Sequence, residues 1–228
     1  GSQDVVDAAL EAGVQAAFSG GDADADRSGA QPPPRSIAQA VERLPAANVA
    51  VVSVPGPYAA LEAHHALTAG LHVLLFSDNV PLAEEVELKE RAAQLGLLVM
   101  GPGAGTAVLG GTGLGFANVV RRGPVGVVAA AGTGAQEVSA LLDRWGVGVS
   151  NVIGVGGRDL SADVGGTMAI AAARALAADP DTEAILLVSK PADEAVAGEV
   201  LKACGSTPAV AAFLGLDAAG GEGPGGVR

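Results

Sequence analysis

PVGVVAAAGTGAQEVSALLDRWGVGVSNVIGV, residues 124–155, is the stretch whose reading decides the fold. It opens on an aliphatic run, 124–131, with no polar alternation, the pattern of a strand buried on both faces. Thr133 and Gln136 follow as a T-x-x-Q pair, the signature of a capping box at a helix start. Val138, Leu141, Leu142 and Trp145 fall on one helical face, and Gly146 supplies a C-terminal stop. A second strand-like run, VSNVIGV (149–155), comes next. Strand, helix and strand with short connections make the unit of a parallel sheet.

The same alternation extends both ways. Downstream lie an Ala-rich helix (166–178), a strand AILLVS (184–189), a helix (192–203) and a strand PAVAAFL (208–214). Upstream, Ser36 can cap a helix whose Ile37, Val41 and Leu44 share one face. NVAVVSV (48–54) reads as a strand, 57–69 as a helix ending at Gly70, and LHVLLFS (71–77) as a strand. Asp78 and Asn79 can cap a helix that has Pro81 near its first position and runs to Gly96. GLLVM (96–100) is a third strand. Residues 92–120 carry no charge, but eight of them are Gly and one is Pro102. That composition fits a buried strand leading into a Gly-rich loop better than a membrane span. The expectation is an α/β protein of two consecutive doubly wound parallel-sheet domains, 35–119 and 120–216. A short helix (3–18) and a flexible linker (SGGDADADRSGAQPPP, 19–34) precede them, and a flexible Gly-rich tail (217–228) follows.

Composition narrows the function. The chain has 228 residues, 49% hydrophobic, enough aliphatic mass to exclude wholesale disorder. A single cysteine, Cys204, excludes a disulfide scaffold and fits a reducing, cytoplasmic setting. Thirteen Lys and Arg against 25 Asp and Glu give a net charge of −12, which argues against nucleic acid and anionic membrane as partners. Gly1-Ser2 resembles an expression scar before a segment that begins mid-helix, which suggests a piece of a longer protein; no signal peptide is visible. Asp22, Asp24 and Asp26 alternate like a calcium loop, yet Arg27 and Pro33 stand where the Gly and Glu of that loop belong, and no metal is expected. His64, His65 and His72 have no ligand partners at metal spacing and read as structural.

Ligands of open parallel sheets bind beyond the carboxyl ends of the strands. The segments there are VPGP (54–57), SDN (77–79), GPGAGT (101–106), AGTG (131–134), GVGGRD (154–159) and SKP (189–191). Glycines let amides face a ligand, and a following helix adds its positive dipole end, so a phosphate or carboxylate is the natural guest. The candidate phosphate- or CoA-binding residues are Asp78, Asn79, Gly101, Gly103, Gly105, Thr106, Gly132, Thr133, Gly134, Gly156, Gly157, Arg158, Asp159 and Lys190. Arg158 could grip an anion with its fork, or serve a surface ion pair. Asp78 reads as a helix cap before a general base. Glu84, Glu85, Glu87 and Glu90 read as a solvated helix face. No nucleophile–base pair is evident, and no catalytic residue is assigned.

The strings LLFSDNVPLAEEVELK (74–89), GLLVMGP (96–102), LGFANVVRRGPVGVV (114–128), GTGAQEV (132–138), GVGGRDLSADVGG (154–166) and VSKPA (188–192) resemble the FdrA family. These are acyl-CoA-synthetase-like relatives of the succinyl-CoA ligase α subunit. The resemblance covers about 35–216. It implies a CoA-binding-like Rossmann-type domain followed by a CoA-ligase-type flavodoxin-like domain, with 101–106 and 131–134 facing CoA or a phosphorylated group. It also implies acyl-CoA synthetase-type chemistry or oxamate carbamoyltransferase-type transfer through acyl or carbamoyl phosphate, with companion subunits or in a homo-oligomer. The chain departs from the family's GPDCGT at Gly103 and Ala104, and from its GASGTG at Ala131. Those losses of an acid, a thiol and a hydroxyl leave two alternatives: a catalytically degenerate homologue acting as a scaffold or metabolite-binding subunit, and a generic CoA- or nucleotide-binding module.

Overall fold

Ser36 starts the first helix as its residue type requires. Its hydroxyl accepts a hydrogen bond from the Gln39 amide at 3.2 Å, capping α1 (Ile37–Arg43). The computed structural model describes residues 32–216; the helix expected over 3–18, most of the linker, the alternating aspartates and the tail 217–228 lie outside them. Strand and helix then alternate through β1 (Val49–Val52), α2 (Gly56–Thr68), β2 (His72–Leu75), α3 (Leu82–Leu95) and β3 (Val99–Met100). The three strands form a parallel sheet in the order β1-β2-β3, with Val49 opposite His72 and Val73 opposite Val99.

The expected Gly-rich loop contains structure. β4 (Thr106–Leu109) and β5 (Thr112–Gly115) form an antiparallel hairpin, Thr106 opposite Gly115. Gly110 and Gly111 make its two-residue turn with φ of 56° and 85°, the left-handed pair that such a turn requires. β4 next pairs antiparallel with β7 (Val149–Gly154). Parallel strands β6 (Arg122–Ala130), β8 (Ala184–Ser189) and β9 (Ala209–Phe213) complete a six-stranded sheet in the order β5-β4-β7-β6-β8-β9. The hairpin thus carries residues from before position 119 into the second sheet, and described residues from Ser36 onward belong to one compact unit. Helices α4 (Gly132–Arg144), α5 (Thr167–Ala178) and α6 (Glu194–Ala203) fill the connections. The core is aliphatic and alanine-rich, with Val73, Leu74, Leu75, Met168, Leu187 and Ala172 fully enclosed.

Three local expectations are corrected. The T-x-x-Q box does not close: Ala131 is the N-cap of α4 and no side chain caps it, while Gln136 reaches sideways to the β4 hydroxyl of Thr106. Trp145 is 69% exposed at the end of α4, because the helix turns Ala135 and Ser139 inward instead. Pro81, not Asp78 or Asn79, is the N-cap of α3. The Asp78 carboxylate accepts from the next amide, Asn79, whose own φ is +58°.

The fourth correction is the largest. Glu85 does not face solvent. It and Lys89, one turn apart on α3, are buried together with Asp159 from the turn after β7. Lys89 Nζ donates to Glu85 Oε1 and Asp159 Oδ1 at 2.7 Å each, and to the Val155 carbonyl at 3.0 Å. Asp159 Oδ2 accepts the Ala169 amide of α5. Glu85 Oε2 has no aligned hydrogen bond and is balanced by Arg158 Nη2 2.7 Å away. The cluster is neutral in sum and ties the first sheet's helix to the second sheet's turn. Among the described residues no helix is long and apolar enough to cross a membrane.

Replacing Lys89 with Met should leave two buried carboxylates facing each other. A loss of about 3–5 kcal/mol is expected, read from the urea midpoint. His72 gives a second test. Its Nδ1 accepts the Leu98 amide at 3.0 Å, and burial lowers its pKa below the ordinary value. The unfolded chain takes up this proton near pH 6.5 while the folded chain resists it. Stability is therefore full above that pH and falls as pH drops through the lowered folded pKa. His72→Asn keeps an acceptor and cannot titrate, so its Tm should fall less steeply between about pH 7.5 and about pH 5.5.

Candidate functional site

The turns that follow the strands meet in a row along one edge, and close backbone contact explains much of their glycine. At Gly56 a Cβ would stand 2.5 Å from the Asp78 carbonyl oxygen and 2.6 Å from that of Asn79. At Gly156, with φ at +90°, it would stand 2.7 Å from the Gly101 carbonyl carbon and 2.8 Å from the Pro102 oxygen. The turn after β1 therefore rests on the turn after β2, and the turn after β3 rests on the turn after β7. Ser77 adds a polar clasp, accepting the Val54 amide at 3.0 Å.

These contacts sort the candidate residues. Gly103 and Ala104 spend their amides on the carbonyls of Ser77 and Leu75, at 2.9 and 3.4 Å. Asp78 lies beside Gly103, 3.5 Å from where its Cβ would be. The 101–106 turn is thus a structural seam with an acid at one end. Thr106 is buried with its hydroxyl accepting from Gln136 Nε2 at 2.9 Å, which fastens the seam to α4. Asp159 is fully buried in the Lys89 cluster. Arg158 bends onto Glu85 and donates to the Val80 carbonyl at 2.7 Å, although 47% of its side chain stays exposed. Neither Asp159 nor the Arg158 fork points along the edge.

Asn79 spends its amide on Asp78 and Gly105 lies under the Phe116 ring, which leaves Gly132, Thr133, Gly134, Gly157 and Lys190. Gly132 and Thr133 are exposed, and a Cβ at Gly132 would meet nothing within 4 Å. No side chain caps α4, so its first amides stay available at the positive end of thirteen aligned peptide units. Lys190 Nζ lies 3.7 Å from where a Gly157 Cβ would be, and the Ala130 carbonyl lies 3.9 Å from the same point. The Gly157 turn thus lies between the Lys190 ammonium and the end of β6. Sequence reading missed Gln136 as the link between the two turns, since its spacing from Thr133 resembled a cap. It also missed Lys89, whose i, i+4 relation to Glu85 was the available signal. Among the described residues no three His, Cys, Asp or Glu side chains gather as a metal site.

Two sheets joined in this way, with turns massed at the carboxyl edge, place the chain in the class of CoA-ligase-like Rossmann-type α/β folds. In ATP citrate lyase from Methanothrix soehngenii, solved with citrate and coenzyme A, the match has a TM-score of 0.64 at 21% identity, over 85% of this chain and 34% of that one. Sequence relatives agree. The chain is 50% identical over 182 residues to the uncharacterized protein YahF of Escherichia coli K12, covering 78% of this chain and 35% of YahF. It is 32% identical over 193 residues to the α subunit 2 of ADP-forming succinate–CoA ligase from Archaeoglobus fulgidus, covering 82% of this chain and 65% of that subunit. The chain thus spans about a third of the first relative and just under two thirds of the second. No protein-family model matches it. Its homologues are succinyl-CoA ligase α-like and acyl-CoA synthetase-like chains.

The two kinds of glycine should separate on substitution. Gly156→Ala is expected to lower stability by about 2–4 kcal/mol through left-handed strain and overlap with Gly101. Gly132→Ala should be neutral or stabilising by up to about 1 kcal/mol. Chemical denaturation of both variants gives the comparison.

Proposed function

We propose that the chain is an α-type module of an acyl-CoA-ligase-like, FdrA-type enzyme, and that it handles an acyl or carbamoyl phosphate at the start of α4. The observation that carries this reading is the uncapped α4 N-terminus, with open space at Gly132 and the Lys190 ammonium at the Gly157 turn, which adjoins the end of β6. When an acyl phosphate transfers its acyl group to a thiol or an amine, the bond from carbonyl carbon to phosphate oxygen breaks and phosphate leaves with extra negative charge. Amides of Gly132, Thr133 and Gly134 are suited to receive that charge, and Lys190 to neutralise it. CoA is the second ligand that the relatives' names suggest, and companion subunits complete the reaction. Oxamate-type carbamoyl transfer is the narrower form of the same proposal.

A binding role without turnover is favoured by one observation. Ala104 and Ala131 offer no side-chain chemistry at the two turns, so the backbone and Lys190 carry the whole interaction.

Thermal unfolding with acetyl phosphate, carbamoyl phosphate, inorganic phosphate and CoA tests the site. A ligand at about one hundred times its Kd should stabilise by about 2.7 kcal/mol. Lys190→Ala should weaken the anions about tenfold without lowering the Tm of the free protein. Absence of a shift with all four compounds would overturn the reading.

A further inference from the structure

Two aromatic rings stand at the same edge and have no part in the chemistry above. Phe76, from the turn after β2, and Phe116, just after β5, meet edge to face with centroids 5.2 Å apart and planes at 67°. Phe116 is 66% exposed. A single exposed Phe is ordinary on a protein surface, but this one is fixed in place. Its amide donates to the Gly105 carbonyl at 2.6 Å. Its ring lies over Gly105, where a Cβ would stand 3.2 Å from Phe116 Cδ2 and 3.9 Å from Phe76 Cε2. Any side chain at 105 would push the Phe116 ring away.

The residue that follows Gly105 is tied to α4 by a hydrogen bond. Thr106 is held by Gln136, and the Asn118 amide group donates to the Gln136 carbonyl at 3.0 Å. The aromatic pair and the first turns of α4 are therefore parts of one braced unit. Among the described residues, Arg158 is held on Glu85 and Lys190 lies near Gly157. A group resting on the rings thus meets aromatic surface, with the Asp78 carboxylate beside Gly103 in the neighbouring turn. A second carboxylate there would face the Asp78 charge, whereas an apolar tail would cover ring surface now open to water.

Resting on the reading of the α4 start as the phosphate site, we propose that Phe76 and Phe116 form the wall that receives the acyl tail. The substrate class is then a monocarboxylic acyl group with an apolar aliphatic or aromatic tail, not a dicarboxylate.

Titration calorimetry of the full chain with CoA, butyryl-CoA, benzoyl-CoA and succinyl-CoA is the test. Butyryl-CoA and benzoyl-CoA should bind at least about tenfold more tightly than succinyl-CoA. Phe116→Ala should abolish that ratio, and Phe116→Leu should preserve it for butyryl-CoA. The Phe116 ring is mostly exposed, so both variants should fold, which circular dichroism would verify. If CoA binds but the acylated forms bind alike, or if the preference survives Phe116→Ala, the acyl wall is overturned and the phosphate reading stands. If CoA and its thioesters fail to bind and acetyl phosphate gives no thermal shift, both fall together.

Discussion

The Lys89 ammonium is fully buried away from solvent. Its charge is tolerable only because Glu85, Asp159 and the Val155 carbonyl surround it at 2.7 to 3.0 Å, and because Arg158 balances the second carboxylate. Those partners come from both sheets. Lys89 and Glu85 ride on α3, between the second and third strands, while Asp159 and Arg158 follow β7. A slip of one sheet against the other would leave at least one buried charge unpaired, at a cost of several kcal/mol. The cluster thus fixes the placement that lets Gly156 meet Gly101 and Pro102. A sulfur contact, the Val99 amide on Met168 Sδ at 3.2 Å, links β3 to α5 along the same interface.

This constraint also decides where function can sit. GGRD resembled an anion grip in sequence because it joins glycines to a guanidinium after a strand. In the folded chain its acid is buried and its arginine is turned onto α3. The glycines of 101–106 are likewise used for close packing, with the Gly103 and Ala104 amides taken by β2 and its turn. The proposed site therefore moves to the start of α4, where Ala131 supplies no cap, with Lys190 as its cation. Gln136 holds the two turns together through its hydrogen bond to Thr106.

Strand and helix order was legible because aliphatic runs and glycine stops are local signals. The runs at 48–54, 71–77, 184–189 and 208–214 all contain strands near the expected positions. The β4–β5 hairpin was hidden because TAVLGGTGLG has too few side chains to show an alternating pattern, and its pairing with β7 is a long-range choice. Glu85 was misread because a charged helix face resembles a solvated one until its neighbours across the interface are known. Gln136 was misread for a related reason: T-x-x-Q describes a local cap, and a distant hydroxyl on Thr106 competed for the same amide and won. In each case the missing information was the position of a second segment far away in sequence.

The chain's net charge of −12 opposes an anionic ligand at long range. Range resolves the conflict. At physiological salt the Debye length is about 8 Å, so carboxylates scattered over the surface are largely screened from a ligand at the edge. Helix amides in direct contact are not screened, since no salt or water lies between donor and oxygen. The same contrast favours an uncharged acyl tail, because each further negative charge on the ligand would need its own local partner. With Arg158 committed to Glu85, the proposed site assigns the Lys190 charge to the phosphoryl end.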